Sequence, residues 1–170
     1  MKAGVMKVYL IAVSVVCVVA VCLCLGYVGR KPAPAPEASI QIDDFIIKLS
    51  SQQYSYKYRD INPSAPFHFE LAVEYVGNEP EIEITHGSAI GVVDIVDPYR
   101  ETKFANGIAE EKVVSTLEKN KPITYVFTGN IEYEYLGGFS RGSYSAQAFG
   151  KFSTEDKRYE FRLNIPFEIE

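Results

Sequence analysis

Hydrophobic and polar residues alternate along most of the chain, but not along its start. Residues 8–28 read "VYLIAVSVVCVVAVCLCLGYV", an apolar run with no charge in it. As a helix it would span about 31 Å at 1.5 Å per residue, which matches a hydrocarbon core of about 30 Å. Tyr9 and Tyr27 fall near its ends, where amphipathic rings favour a membrane interface. From residue 39 onward the period becomes two, the mark of strands with one face in a core. "QIDDFIIKLS" predicts a first strand, and "YSYKY" sets Tyr54, Tyr56 and Tyr58 on one face. "FHFELAVEYV" is the clearest strand, with Phe67, Phe69, Leu71, Val73 and Tyr75 in one phase. "EIEIT", the more buried "IGVVDIVD" and "KVVSTL" follow, then "PITYVFT" and "IEYEYL" as a hairpin across "GN". "SYSAQAFGKF", the turn "STEDK" and "YEFRLNIPFEIE" close the chain as another hairpin. Around "ANGIAEEK" one or two helical turns are conceivable, but the β-branched residues after it favour strand.

Many short strands separated by turns predict an all-β fold, an antiparallel β-sandwich preceded by one N-terminal transmembrane helix. The organisation expected is a short basic tail at 1–7, a signal-anchor helix at 8–28, a Pro/Ala-rich linker at 29–38 and a β-sandwich domain at 39–170. "KPAPAPEA" suits the linker, because alternating prolines favour extended chain and resist helix. It offers no good signal-peptidase site, since Pro36 would follow a cut after Ala35. Lys2 and Lys7 before the run and Arg30 and Lys31 after it slightly favour a cytoplasmic N-terminus. The expected place is therefore a single-pass position in the cell membrane, bilayer around 8–28, with the domain extracytoplasmic.

Charge and cysteine narrow the chemistry. Of 17 basic and 22 acidic residues, four basic and no acidic ones lie in 1–36. Residues 38–170 carry 13 basic against 21 acidic, a balance of −8, which argues against nucleic acid as a partner. All three cysteines, Cys17, Cys22 and Cys24, lie in the apolar run, so the domain cannot use disulfides. Zinc lacks clusters of Cys and His. The carboxylates lack the spacing of an EF-hand, and no phosphate loop is present. A Ser-His-Asp set could be drawn from His86, Ser88 and Asp94, but no nucleophile elbow accompanies it. The expectation is a protein that is not an enzyme, with no cofactor and no metal.

Two features could serve binding, the first to a sugar or a protein partner. Tyr54, Tyr56 and Tyr58 would form an aromatic stripe, and the loop "GGFSRG" displays Phe139 and Arg141 between glycines. Aromatic residues and Arg are enriched at binding hot spots. Against the first stands a packed aromatic rib, and against the second a turn with Phe139 tucked inward.

"GSYSAQAFGKF" carries a resemblance. Gly142, Tyr144, Ala146 and Ala148 resemble the tyrosine corner of immunoglobulin-like sandwiches, with Ala146 where antibody domains have a cysteine. With no cysteine pair in the domain and no tryptophan anywhere, the chain resembles the broader immunoglobulin-like or fibronectin-type class. The order "VVSTLEKNKPITYVFT", a glycine turn, then "GSYSAQAFGKF" is similar to the bacterial intracellular proteinase-inhibitor family over about the last sixty residues. The corner resemblance implies that Tyr144 lies near the start of the penultimate strand and bonds back to the backbone. The function expected is protein binding or envelope and surface assembly. The alternative is a protease-inhibitor-like domain, and behind it a calcium- or sugar-dependent adhesion module.

Overall fold

In a computed structural model of the chain, residues 33–57, 67–97, 111–128 and 140–170 are described. The apolar run at 8–28 lies outside them. Among the described residues no helix is long and apolar enough to cross a membrane.

The described chain is all-β, in two sheets. Nine strands follow in order: β1 (Glu37–Ile42), β2 (Phe45–Ser51), β3 (Ser55–Tyr56), β4 (His68–Tyr75), β5 (Glu81–Val96), β6 (Val113–Glu118), β7 (Ile123–Thr128), β8 (Gly142–Ser153) and β9 (Arg158–Ile169). One sheet runs β1-β2-β4-β7 and the other β3-β9-β8-β5-β6. Together they make a β-sandwich. All pairs are antiparallel except β3, which runs parallel to β9.

The period-two pattern dictates what lies between the sheets. β2 and β4 bury Phe45, Ile47, Leu49, Phe69, Leu71, Val73 and Tyr75. β8 and β9 answer with Tyr144, Ala146, Ala148, Phe152, Tyr159, Phe161, Leu163, Ile165 and Phe167. Aromatic rings gather at both ends. At one end Phe45 stands edge-on to Phe152 and Tyr159. At the other Tyr56 and Phe167 close around Phe67 and Phe69. Between the ends, Ala146 and Ala148 leave room for the facing sheet.

Three sequence expectations change. "QIDDFIIKLS" is two strands: Ile42 pairs with Phe45 across a two-residue loop, and Asp43 takes φ 50° to turn it. A short polar side chain tolerates that left-handed conformation. β1 also takes up Glu37 and Ala38, which the sequence assigns to the linker. "EIEIT" and "IGVVDIVD" are one 16-residue strand, β5, whose pairing with β8 shifts register between His86 and Gly91. A bulge of this kind bends a strand without ending it. Gly91 and Gly150 face each other beyond the bulge. A Cβ on Gly150 would stand 2.2 Å from the Ile90 carbonyl oxygen, so glycine is what lets the strands meet. Third, "YSYKY" yields only the two-residue β3, with Tyr58 outside the described residues. The segment 129–139, with the expected hairpin partner of β7, also lies outside them.

Candidate functional site

Tyr144 is the second residue after Gly142, which has φ 153°, a conformation that L side chains rarely adopt. Its ring is buried at 5% exposure and stacks on Phe167 with centroids 5.6 Å apart. The hydroxyl donates to the Ser140 carbonyl at 2.8 Å and accepts from the Ser140 amide at 3.1 Å. The Ser140 hydroxyl lies 3.3 Å away. A tyrosine near the start of the penultimate strand thus ties its own lead-in loop to the core, as the corner resemblance implies. Its hydroxyl is spent on backbone and its ring on packing.

The candidate binding residues separate. Tyr56 does not stand on an exposed stripe. It is 6% exposed, and its hydroxyl lies 2.7 Å from Ser51 Oγ. Burial raises its phenol pKa above the ordinary value, partly offset by the hydrogen bonds at Ser51 and the His68 backbone. Tyr54 is half-buried and donates to Glu168 Oε1 at 3.3 Å. Lost solvent and the Glu168 carboxylate both raise its pKa. The reason for the split is β3 itself: its register with β9 puts Tyr56 opposite Ile169 and turns the ring between the sheets. Arg141 is exposed beside the corner, whereas Phe139 and Tyr58 lie outside the described residues.

The two histidines are occupied. His68 Nε2 meets Glu70 Oε1 at 3.1 Å on β4. His86 is buried at the β5 bulge, with Nδ1 2.6 Å from the Gly87 carbonyl and Nε2 2.8 Å from Ser115 Oγ on β6. A carbonyl oxygen can only accept, so Nδ1 carries a proton, and in the neutral ring Nε2 accepts from the serine hydroxyl. The ring is a cross-strand brace that holds the bulge, and its serine is Ser115, not the Ser88 of the sequence-derived set. Among the described residues no group of three or more His, Cys, Asp or Glu could hold a metal ion.

One surface was not singled out from the sequence. On the outer side of β8 and β9 lies an open groove of about 590 Å³, lined on that face by Phe149, Lys151, Arg158, Glu160 and Arg162 and reaching Gly150 and Phe161 of the inner phase. Register builds it: Phe149 stands opposite Arg162, Lys151 opposite Glu160, and Ser153 opposite Arg158. Arg158 and Glu160 pair at 2.9 Å. Among the described residues neither Lys151 nor Arg162 has a carboxylate partner. Three cations against one carboxylate leave a positive groove on a domain that is acidic as a whole. Guanidinium groups beside a partly buried aromatic ring suit carboxylates, which Arg grips in bidentate fashion. The signal was present in "RYEFRLN", whose polar phase is Arg158, Glu160 and Arg162. Recognising the groove also needs the β8–β9 register, which supplies Phe149 and Lys151.

No family model matches the chain, and no curated protein shows significant similarity to it.

Proposed function

We propose that the protein is a membrane-anchored module whose extracytoplasmic, immunoglobulin-like sandwich binds a protein partner in envelope or surface assembly. The observation that carries the binding part is the positive groove on the outer face of β8 and β9, set in an acidic domain with no metal cluster among its described residues. The uninterrupted apolar run at 8–28, followed by a proline-rich spacer, supports the anchor. The immunoglobulin-like assignment draws on topology. The neighbours β2-β4-β7 correspond to strands A, B and E of that fold, and β5-β8-β9 to C, F and G. Tyr144 then sits on strand F, where that class carries its corner tyrosine.

The test has two arms on the full chain. For the anchor, the protein should stay with membranes after an alkaline carbonate wash, and protease added to intact cells should digest the domain. A soluble mature domain beginning near Ala33 would refute the anchor. Protection in intact cells would refute the outward orientation. For binding, Arg158→Glu/Arg162→Glu should lose captured protein that the wild type retains. Equal capture by both would reject the groove as the binding surface.

A further inference from the structure

The outer face of the β3-β9-β8-β5-β6 sheet is divided by charge. Register puts Arg158, Ser153, Thr85 and Val114 in one row across β9, β8, β5 and β6. Stepping two residues at a time from that row keeps to the same face. In one direction along β9 come Glu160 and Arg162, with Lys151 and Phe149 beside them on β8. In the other direction along β5 come Glu83 and Glu81, with Glu118 of β6 directly opposite Glu81. All three of these glutamates are exposed. Lys121 pairs with Glu118, while Glu81 and Glu83 have no cationic partner among the described residues. Among the described residues, Arg158, Arg162 and Lys151 stand with Glu160 on one side, with the buried Asp94 farther along β5 opposite Gln147, and three carboxylates stand with Lys121 on the other.

The geometry points to a second copy of this chain as the occupant of the groove. It rests on the reading of the outer β8–β9 face as a protein-binding surface. A two-fold axis lying in the plane of this face, between the two patches, sets the groove of each copy over the glutamates of the other. The contact is then made twice, which is how an isologous interface works. Arg158, Lys151 and Arg162 meet Glu81, Glu83 and Glu118. Glu81 and Glu118 are like charges directly opposite one another, a destabilising placement within one copy. A cationic partner relieves it. Like charges facing across an interface are costly, so the opposite register, groove on groove, is disfavoured.

Charge reversal tests this on the full chain in mild detergent, with sedimentation velocity as the readout. Wild type should dimerise at 50 mM salt and dissociate at 500 mM, because exposed charges are screened. Arg158→Glu/Arg162→Glu makes the face acidic throughout, and Glu81→Lys/Glu83→Lys makes it basic on both sides. Each should weaken self-association at least about tenfold. An equimolar mixture of the two should form a heterodimer, since each face now matches the other. All four substitutions lie on exposed positions, and unchanged melting of each variant shows that it folds. A wild type that stays monomeric at low salt would overturn self-association, as would a dimer indifferent to both reversals or a mixture no more associated than its parts. If the wild type is monomeric yet captures another protein that Arg158→Glu/Arg162→Glu does not, self-association falls while the groove stays a binding surface. If capture is equally strong in that variant, both fall.

Discussion

The two faces of β8 have the same twelve residues of backbone and opposite roles. On the inner face, Tyr144, Ala146, Ala148, Gly150 and Phe152 are each held to one shape: Gly150 by the backbone of β5, Tyr144 by Phe167 and Ser140, Phe152 by Phe45 and Tyr159. On the outer face, Phe149 and Lys151 border an open groove, Phe149 between Arg162 of β9 and Val92 of β5, and Lys151 opposite Glu160 of β9. Buried positions are fixed by volume and by polar groups that need partners. Exposed positions are free of both demands, so a charge arrangement there can serve recognition without opposing the fold. The difference teaches where to look for function in this molecule: Tyr144, the most conspicuous residue of the strand, is scaffold, and the plainer residues behind it face the solvent.

The largest blow to the inner face is Tyr144→Ala. Removing a large buried ring should cost about 3–5 kcal/mol, read as a lowered urea midpoint or as loss of cooperative unfolding. Gly150→Ala comes next. Its Cβ would stand 2.2 Å from the Ile90 carbonyl oxygen and 2.7 Å from Gly91 Cα, so backbone must move. A loss at the upper end of about 1–3 kcal/mol is expected, again in urea unfolding. Tyr144→Phe keeps the ring and removes only the hydroxyl bonded at Ser140, for a loss of about 1 kcal/mol. An unchanged midpoint in that variant would separate the corner bond from stability.

Alkaline pH probes the same inner face more gently. Folding holds the phenols of Tyr56 and Tyr125 above their ordinary value of 10.0, in both cases chiefly by burial. The unfolded chain gives up these protons first. Their contribution is therefore whole below pH 10 and fades as pH rises through the folded values. Lys157 acts in the same direction. The hydrogen bond and charge of Asp43 raise its pKa above 10.5, so the bridge between the β8–β9 turn and the β1–β2 turn is lost only above that. Urea midpoints at pH 9 and pH 11 should differ, with the lower one at pH 11. No difference would mean that Tyr56 and Tyr125 ionise as freely in the folded chain as in the unfolded one.

Local pattern carried much of this fold and little of its surface. "FHFELAVEYV" and "YEFRLNIPFEIE" alternate cleanly because each has one face wholly in the core, and both appear as β4 and β9. The closing hairpin and the place of Tyr144 were legible for the same reason. Asp43-Asp44 did not announce a turn, because neither residue is the glycine or asparagine that usually supplies a positive φ. The pattern separates "EIEIT" from "IGVVDIVD", yet β5 runs on through His86 and Gly87. What holds it are distant groups: Ser115 on β6 for the His86 ring, and Gly150 on β8 for the close approach at Gly91. Tyr56 was placed on a stripe with Tyr54 because alternation reports phase, not which phase is buried. Only the pairing of β3 with β9 decides that. The groove and the facing glutamates share this dependence on register, since their charges come from four strands.

The separation of the two faces has one direct measurement. Urea unfolding of Lys151→Ala/Arg162→Ala, in 500 mM salt so that association does not contribute, should give a stability within about 0.5 kcal/mol of wild type, as for exposed positions elsewhere. A loss of about 2 kcal/mol or more would contradict the account, because it would make the outer face of β8 part of what holds the sandwich together.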